Sequence, residues 1–161
     1  MKKILIIIDA WELDFINIFL FFLSDQYRLF RRIKKFLNNR HDIDLIVIAS
    51  YNNRKTSSII KNLPGKKVYA TEIDQIEKYL ENVETVFLAG SAWDRCIKDR
   101  NLGYLNLHRY FKEKNTVNIN IKDDCVIYSE EYTAKIFDPI ENLDWKPTKE
   151  KGVYVYKPNS V

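Results

Sequence analysis

The chain reads as an α/β protein with a mostly parallel sheet, and three observations carry that reading. Lys3-Ile4-Leu5-Ile6-Ile7-Ile8 and Asp44-Leu45-Ile46-Val47-Ile48-Ala49 contain unbroken apolar runs, the pattern of central parallel strands covered on both faces. Between them, Leu29, Phe30, Ile33, Phe36 and Leu37 recur at helical spacing among Arg28, Arg31, Arg32, Lys34, Lys35 and Arg40. A third strand-like run, Thr85-Val86-Phe87-Leu88-Ala89, ends on Gly90 and leads through a turn into another helical stretch.

The elements follow in order. The first strand ends at Asp9. A helix is expected over roughly Phe15–Asn38, and its opening, Phe15 to Leu23, is apolar apart from Asn17. After the Asp44–Ala49 strand, Thr56–Leu63 suits a short helix stopped by Pro64-Gly65. Lys67-Val68-Tyr69-Ala70 is a weaker strand, and Thr71-Glu72-Ile73-Asp74 reads as the capped start of a helix ending near Leu80. Beyond the fourth strand, a helix is expected from Cys96 to about Lys114. A fifth strand follows over Thr116–Ile121 and a sixth over Gly152–Tyr156. Right-handed crossovers put the C-termini of all parallel strands on one edge, where Asp9 and the Gly90–Cys96 turn would meet. The expected architecture is a three-layer, Rossmann-like sandwich of about six strands.

A chain of 161 residues fits one domain, 1–161, with a full core. Four glycines and four prolines leave little material for a flexible linker. The net charge of +4 is mild, and the basic residues gather on one helix face. That reads as a solvated face and points away from a nucleic-acid partner. Phe15–Leu23 is shorter than the roughly 20 residues a bilayer span needs, so no membrane is expected. It reads instead as a buried helix start, a pocket wall or a subunit contact, and a homo-oligomer is the expected state. Cys96 and Cys125 form no CxxC or Cys/His spacing, and His41 and His108 lack partners at ligand spacing, so no metal or cofactor is expected. Met1-Lys2-Lys3 leads into a strand with no signal-peptide cleavage site, which points to the cytoplasm and reduced thiols.

The segment Val86-Phe87-Leu88-Ala89-Gly90-Ser91-Ala92-Trp93-Asp94-Arg95-Cys96-Ile97 carries the most chemistry. A strand, a glycine and a turn lead to a cysteine that opens a helix. The positive end of a helix dipole favours the thiolate, and N–H groups of the turn can cradle an oxyanion. The alternative is that Cys96 is a small buried hydrophobe.

Two segments together resemble the isochorismatase-like cysteine hydrolases. Ile4 to Asp9, followed by Asp14-Phe15, resembles their opening strand, aspartate and "NDF"-like tail. Gly90 with Ala92, Asp94 and Cys96 resembles their nucleophile turn, and Leu102-Gly103 and Val117–Asp124 fit the helix and strand that follow. The resemblance implies a three-layer fold around a parallel sheet. It implies Asp9 as general base, Cys96 as nucleophile, and an oxyanion hole from backbone N–H groups at Ala92 and Cys96. A cis peptide at Ser91–Ala92 would go with that hole. The substrate would be a small amide or related C–N compound, with Trp11, Phe15 and Trp93 around it. No cofactor is implied.

The chain departs from that pattern. The family's lysine belongs near Tyr69-Ala70-Thr71-Glu72, where this sequence has none, while Lys61, Lys66 and Lys67 suit solvated surface positions. A thiolate beside a carboxylate then lacks its cation, unless a displaced lysine or Arg95 supplies it. Two other readings stay open. One is a non-catalytic ligand-binding or interaction protein on the same scaffold. The other is a PIN-like nuclease in which Asp9, Asp94 and Asp123 or Asp124 hold a divalent cation.

Overall fold

The computed structural model describes residues 2–12, 25–91, 97–112, 117–126, 147–150 and 153–156, with the backbone path alone at 25, 122–124, 147–150 and 153–156. Five strands run parallel: β1 Lys2–Ile8, β2 Leu45–Ala49, β3 Lys67–Tyr69, β4 Val83–Gly90 and β5 Asn118–Val126. Beyond β5 the sheet continues into β7 Val153–Tyr156, antiparallel to β5, and then β6 Pro147–Glu150, antiparallel to β7. The order is β3-β2-β1-β4-β5-β7-β6. The α/β class and the mostly parallel sheet agree with the sequence. The sheet has seven strands where six were expected. Two residues separate β6 from β7, too few for a parallel return, so these strands pair as a hairpin. Pro147 in β6 is tolerated because that strand is the sheet's edge.

The helices are α1 Asp25–Asn38, α2 Ser58–Lys61, α3 Ile73–Leu80 and α4 Tyr104–Phe111. They pack on both faces of the sheet. Side chains alternate along a strand, so Ile4, Ile6 and Ile8 meet Ile76, Leu80, Leu107 and Phe111 of α3 and α4. Leu5 and Ile7 meet Leu29, Phe30 and Ile33 of α1 and Ile60 of α2. This double coverage is why β1 and β2 have no polar face. Each such side chain contributes about 1.5–3 kcal/mol on burial. Among the described residues, no helix is long and apolar enough to cross a membrane.

Two expectations need correction. The helix expected to run unbroken from Cys96 to Lys114 is interrupted: helical backbone at 97–99 gives way to a bend over 100–103, and α4 begins at Tyr104. Gly103 permits the bend, because a Cβ there would lie 2.6 Å from the Ile97 carbonyl oxygen and 2.8 Å from that of Arg100. Among the described residues, the helical backbone before the bend is therefore only 97–99. Secondly, β5 does not stop at Ile121. It pairs Leu88 with Ile121 but Gly90 with Val126, so the intervening residues form a bulge at the carboxyl edge. The capped start expected over Thr71–Asp74 is present, with Glu72 as the cap of α3. The Gln75 side-chain oxygen accepts the backbone N–H of both Thr71 and Glu72. The part of the long helix expected over 15–24 lies outside the described residues.

Candidate functional site

The carboxyl edge of β1 ends in Asp9, whose backbone is left-handed at φ 53°. Aspartate tolerates that region better than most residues, and strain of this kind concentrates at functional sites. The Asp9 side chain is 0% exposed. A buried carboxylate needs compensation, and two segments far away in sequence provide it. Arg100 Nε donates to Asp9 Oδ2 at 3.0 Å, and the Tyr51 backbone N–H donates to Oδ1 at 3.1 Å. The Ser91 hydroxyl donates to the Asp9 carbonyl oxygen at 2.6 Å. The end of β1, the loop after β2, the start of the turn after β4 and the 100–103 bend thus converge on one residue. Gly90 makes the close approach of β1 and β4 possible: its φ is +138°, and a Cβ there would lie 2.0 Å from the Ile8 carbonyl oxygen.

Tyr51 organises the other side of the pair. Its hydroxyl donates to the Thr71 carbonyl at 2.8 Å and accepts the Leu102 N–H at 3.0 Å, which ties the 100–103 bend to the edge of β3. The Arg100 guanidinium lies 4.8 Å from the centre of the Tyr51 ring, a cation–π contact. Burial, the largest influence, pushes the Tyr51 phenol up to about 12, so it stays a neutral donor. Arg100 is thus held by a carboxylate at its side and an aromatic ring on its face.

The loop after β2 closes over residues 10–12. Asn52 and Asn53 are left-handed, at φ 61° and 53°. Trp11 pairs with Thr56 in an isolated antiparallel bridge, and the Ser57 N–H donates to the Ala10 carbonyl at 2.9 Å. Arg54 stacks over the Trp11 ring at 4.4 Å. The Trp11 indole N–H is buried and has no acceptor among the described residues. Lys55 pairs with Glu12 at 2.7 Å.

Of the residues singled out from the sequence, Asp9, Ser91 and Trp11 are described, and all three lie at this edge. Cys96, Ala92, Trp93, Phe15 and Asp94 lie outside the described residues, as do the Ser91–Ala92 peptide and the side chains of Asp123 and Asp124. Among the described residues, no three His, Cys, Asp or Glu side chains gather as a metal site. Lys67 is engaged by the Leu63 and Gly65 carbonyls, and Lys66 lies over Tyr79, away from Asp9. Sequence reasoning missed Arg100 and Tyr51. Signals existed for both. Arg100 follows Cys96 by four residues, one helical turn, and Tyr51 follows the β2 strand as Asp9 follows β1. No family model, no curated protein and no solved structure matches this chain.

Proposed function

We propose that this chain is an isochorismatase-like cysteine hydrolase acting on the C–N bond of a small amide or related compound. The Asp9–Arg100 ion pair is the observation that carries the reading. A carboxylate and a thiolate side by side repel, so the pair needs a cation, and no lysine stands where the sequence pattern calls for one. Arg100 supplies a permanent positive charge on Asp9, four residues after Cys96. Ser91 and Arg100 both hydrogen-bond Asp9, and Cys96 lies between them in the chain.

In the proposed reaction, the Cys96 thiol gives its proton to an Asp9 carboxylate oxygen as sulfur bonds to the substrate carbonyl carbon. N–H groups of the 91–96 turn receive the oxyanion. The C–N bond then breaks, and the amine leaves with the proton held by Asp9. Water, deprotonated by Asp9, hydrolyses the thioester and regenerates the thiol. Arginine does not release its proton at working pH, so Arg100 acts by charge alone. An arginine on Asp9 also makes that carboxylate a poor ligand for a divalent cation, which weighs against the nuclease reading.

A second reading rests on the same contacts. Both Asp9 oxygens already accept hydrogen bonds, which suits a carboxylate that staples the edge in a ligand-binding protein. Turnover of a panel of small amides separates the two. The hydrolase reading expects activity that falls at least ~10³-fold in Cys96→Ala and in Asp9→Asn. Ligand binding without turnover favours the second reading. Turnover that survives Cys96→Ala overturns the first.

A further inference from the structure

Three consecutive residues of the bend are each held by a different element. The Arg100 carbonyl accepts the Gly103 N–H at 2.6 Å and the Asn106 side-chain amide of α4 at 3.1 Å. Asn101 donates to Glu72, the cap of α3, at 2.6 Å. The Leu102 N–H donates to the Tyr51 hydroxyl at 3.0 Å, and that hydroxyl donates onward to the Thr71 carbonyl at 2.8 Å. A hydroxyl donates and accepts at once, so one oxygen closes both contacts.

Among these anchors Tyr51 differs in kind, because it also touches both members of the ion pair. Its backbone N–H donates to Asp9 Oδ1 at 3.1 Å, and its ring centre lies 4.8 Å from the Arg100 guanidinium. The aromatic ring is rigid and its torsions are confined to a few rotamers, so the span from the Tyr51 N–H to its hydroxyl takes few values. One residue therefore sets the separation between the carboxyl end of β1 and the bend. Arg100 meets Asp9 through Nε, at the root of the guanidinium. The tilt of that planar group is left to what lies on its face, which is the Tyr51 ring. We propose that Tyr51 is a positioning residue. It holds the bend at the distance from β1 at which Arg100 lies along the Asp9 carboxylate, and its side chain acts on the hydrolysis through Arg100. The proposal rests on the hydrolase reading for what the pair does in the reaction, whereas the placement of Arg100 rests on the contacts themselves.

Tyr51→Phe keeps the ring and the backbone N–H and removes the hydroxyl. Heteronuclear NMR follows exchange of the Arg100 Nε–H with water, the signal being assigned by its loss in Arg100→Lys. The Ile6 amide of buried strand β1 serves as the reference, because it exchanges only when the whole fold opens. Tyr51→Phe should speed exchange at Arg100 about tenfold more than at Ile6, so a general loss of stability does not mimic the effect. Asn106→Ala loosens the same bend without touching Asp9 or the ring, and should speed exchange at Arg100 less. The second arm is carboxymethylation of Cys96. In the hydrolase reading, Tyr51→Phe should slow it about fivefold alone, and less than about twofold on the Arg100→Met background, because the effect runs through Arg100. Exchange at Arg100 that rises no more than at Ile6, or as much in Asn106→Ala, would overturn the proposal. So would a slowing of Cys96 that is undiminished on the Arg100→Met background. Cys96 labelling no faster than Cys125 in the wild type would sink the hydrolase reading instead, and the exchange arm would still decide what places Arg100.

Discussion

Asp9 and Arg100 are each other's solvation. The carboxylate is fully buried, while the Arg100 side chain keeps 30% of its exposure. Removing one partner leaves a charge stranded, whereas removing both does not. Arg100→Met is therefore expected to cost about 2–3 kcal/mol, the low end for a pair with one partly solvated member, read as a shift of the urea midpoint. Asp9→Asn placed on that background should recover part of the loss; additive costs would mean that the pair is not coupled. In the hydrolase reading, the same Arg100→Met change should slow carboxymethylation of Cys96 about tenfold at neutral pH, and Arg100→Lys much less, because a cation at this edge favours the thiolate. Tyr51 adds a pH dependence of the opposite kind from a carboxylate. Its folded pKa, about 12, lies above the ordinary value near 10, so its contribution is complete below pH ~10 and is lost as pH climbs toward 12. Denaturation of wild type and Tyr51→Phe across that window should show a steeper alkaline loss in the wild type. Equal slopes would place the phenol in water.

The bend between residues 100 and 103 is the element on which the site turns. A helix running straight on from residue 97 would carry Arg100 along with it. The bend instead keeps Arg100 on Asp9, with the Gly103 N–H closing on the Arg100 carbonyl at 2.6 Å and Leu102 anchored to Tyr51. Gly103→Ala forces a methyl group against the Ile97 and Arg100 carbonyls. We expect a destabilisation of about 1–3 kcal/mol, with faster hydrogen exchange at the Leu102 amide. An unchanged Leu102 exchange rate would mean that the bend tolerates a side chain. The cap of α3 belongs to the same region, since Asn101 donates to Glu72 at 2.6 Å. The elements after β3 and β4 are thus joined through polar contacts at the edge as well as through the core.

Across the whole molecule, the sheet divides the core into two faces with different tenants. Cys125 belongs to the face covered by α1 and is 0% exposed, among residues that include Phe36 and Phe87, whose rings meet edge-on at 5.4 Å. Its thiol should be reached only by unfolding. Iodoacetamide labelling of Cys125 is expected to track global stability as urea is raised, and to be suppressed at least ~10³-fold in water. Cys96, in the hydrolase reading, should label quickly and with little dependence on urea at low concentration. Mass spectrometry after brief labelling distinguishes the two sites. Comparable native rates would argue against an activated Cys96.

The strands, their parallel arrangement and the place of Asp9 were legible in the sequence, because each follows from a local property. A run such as Ile4–Ile8 has no polar face, and only a strand covered on both sides accepts that. A residue directly after such a run must lie at the sheet's edge. The basic face of α1 was equally legible, as a spacing of residues. The cation that pairs with Asp9 was not, because Arg100 meets Asp9 across 91 positions of chain, and the bend at Gly103 brings them together. Tyr51 lies 42 positions from Asp9 and 51 from Leu102, so its bridging role is a property of the packed edge. The unbroken helix expected after Cys96 failed for the same reason. Local periodicity favoured its continuation, but the buried carboxylate, which needs Arg100, and the Tyr51 hydroxyl, which takes the Leu102 N–H, favour the bend. Local pattern decides what a segment can be; the pairing of buried charge, available only once distant segments meet, decides where it turns.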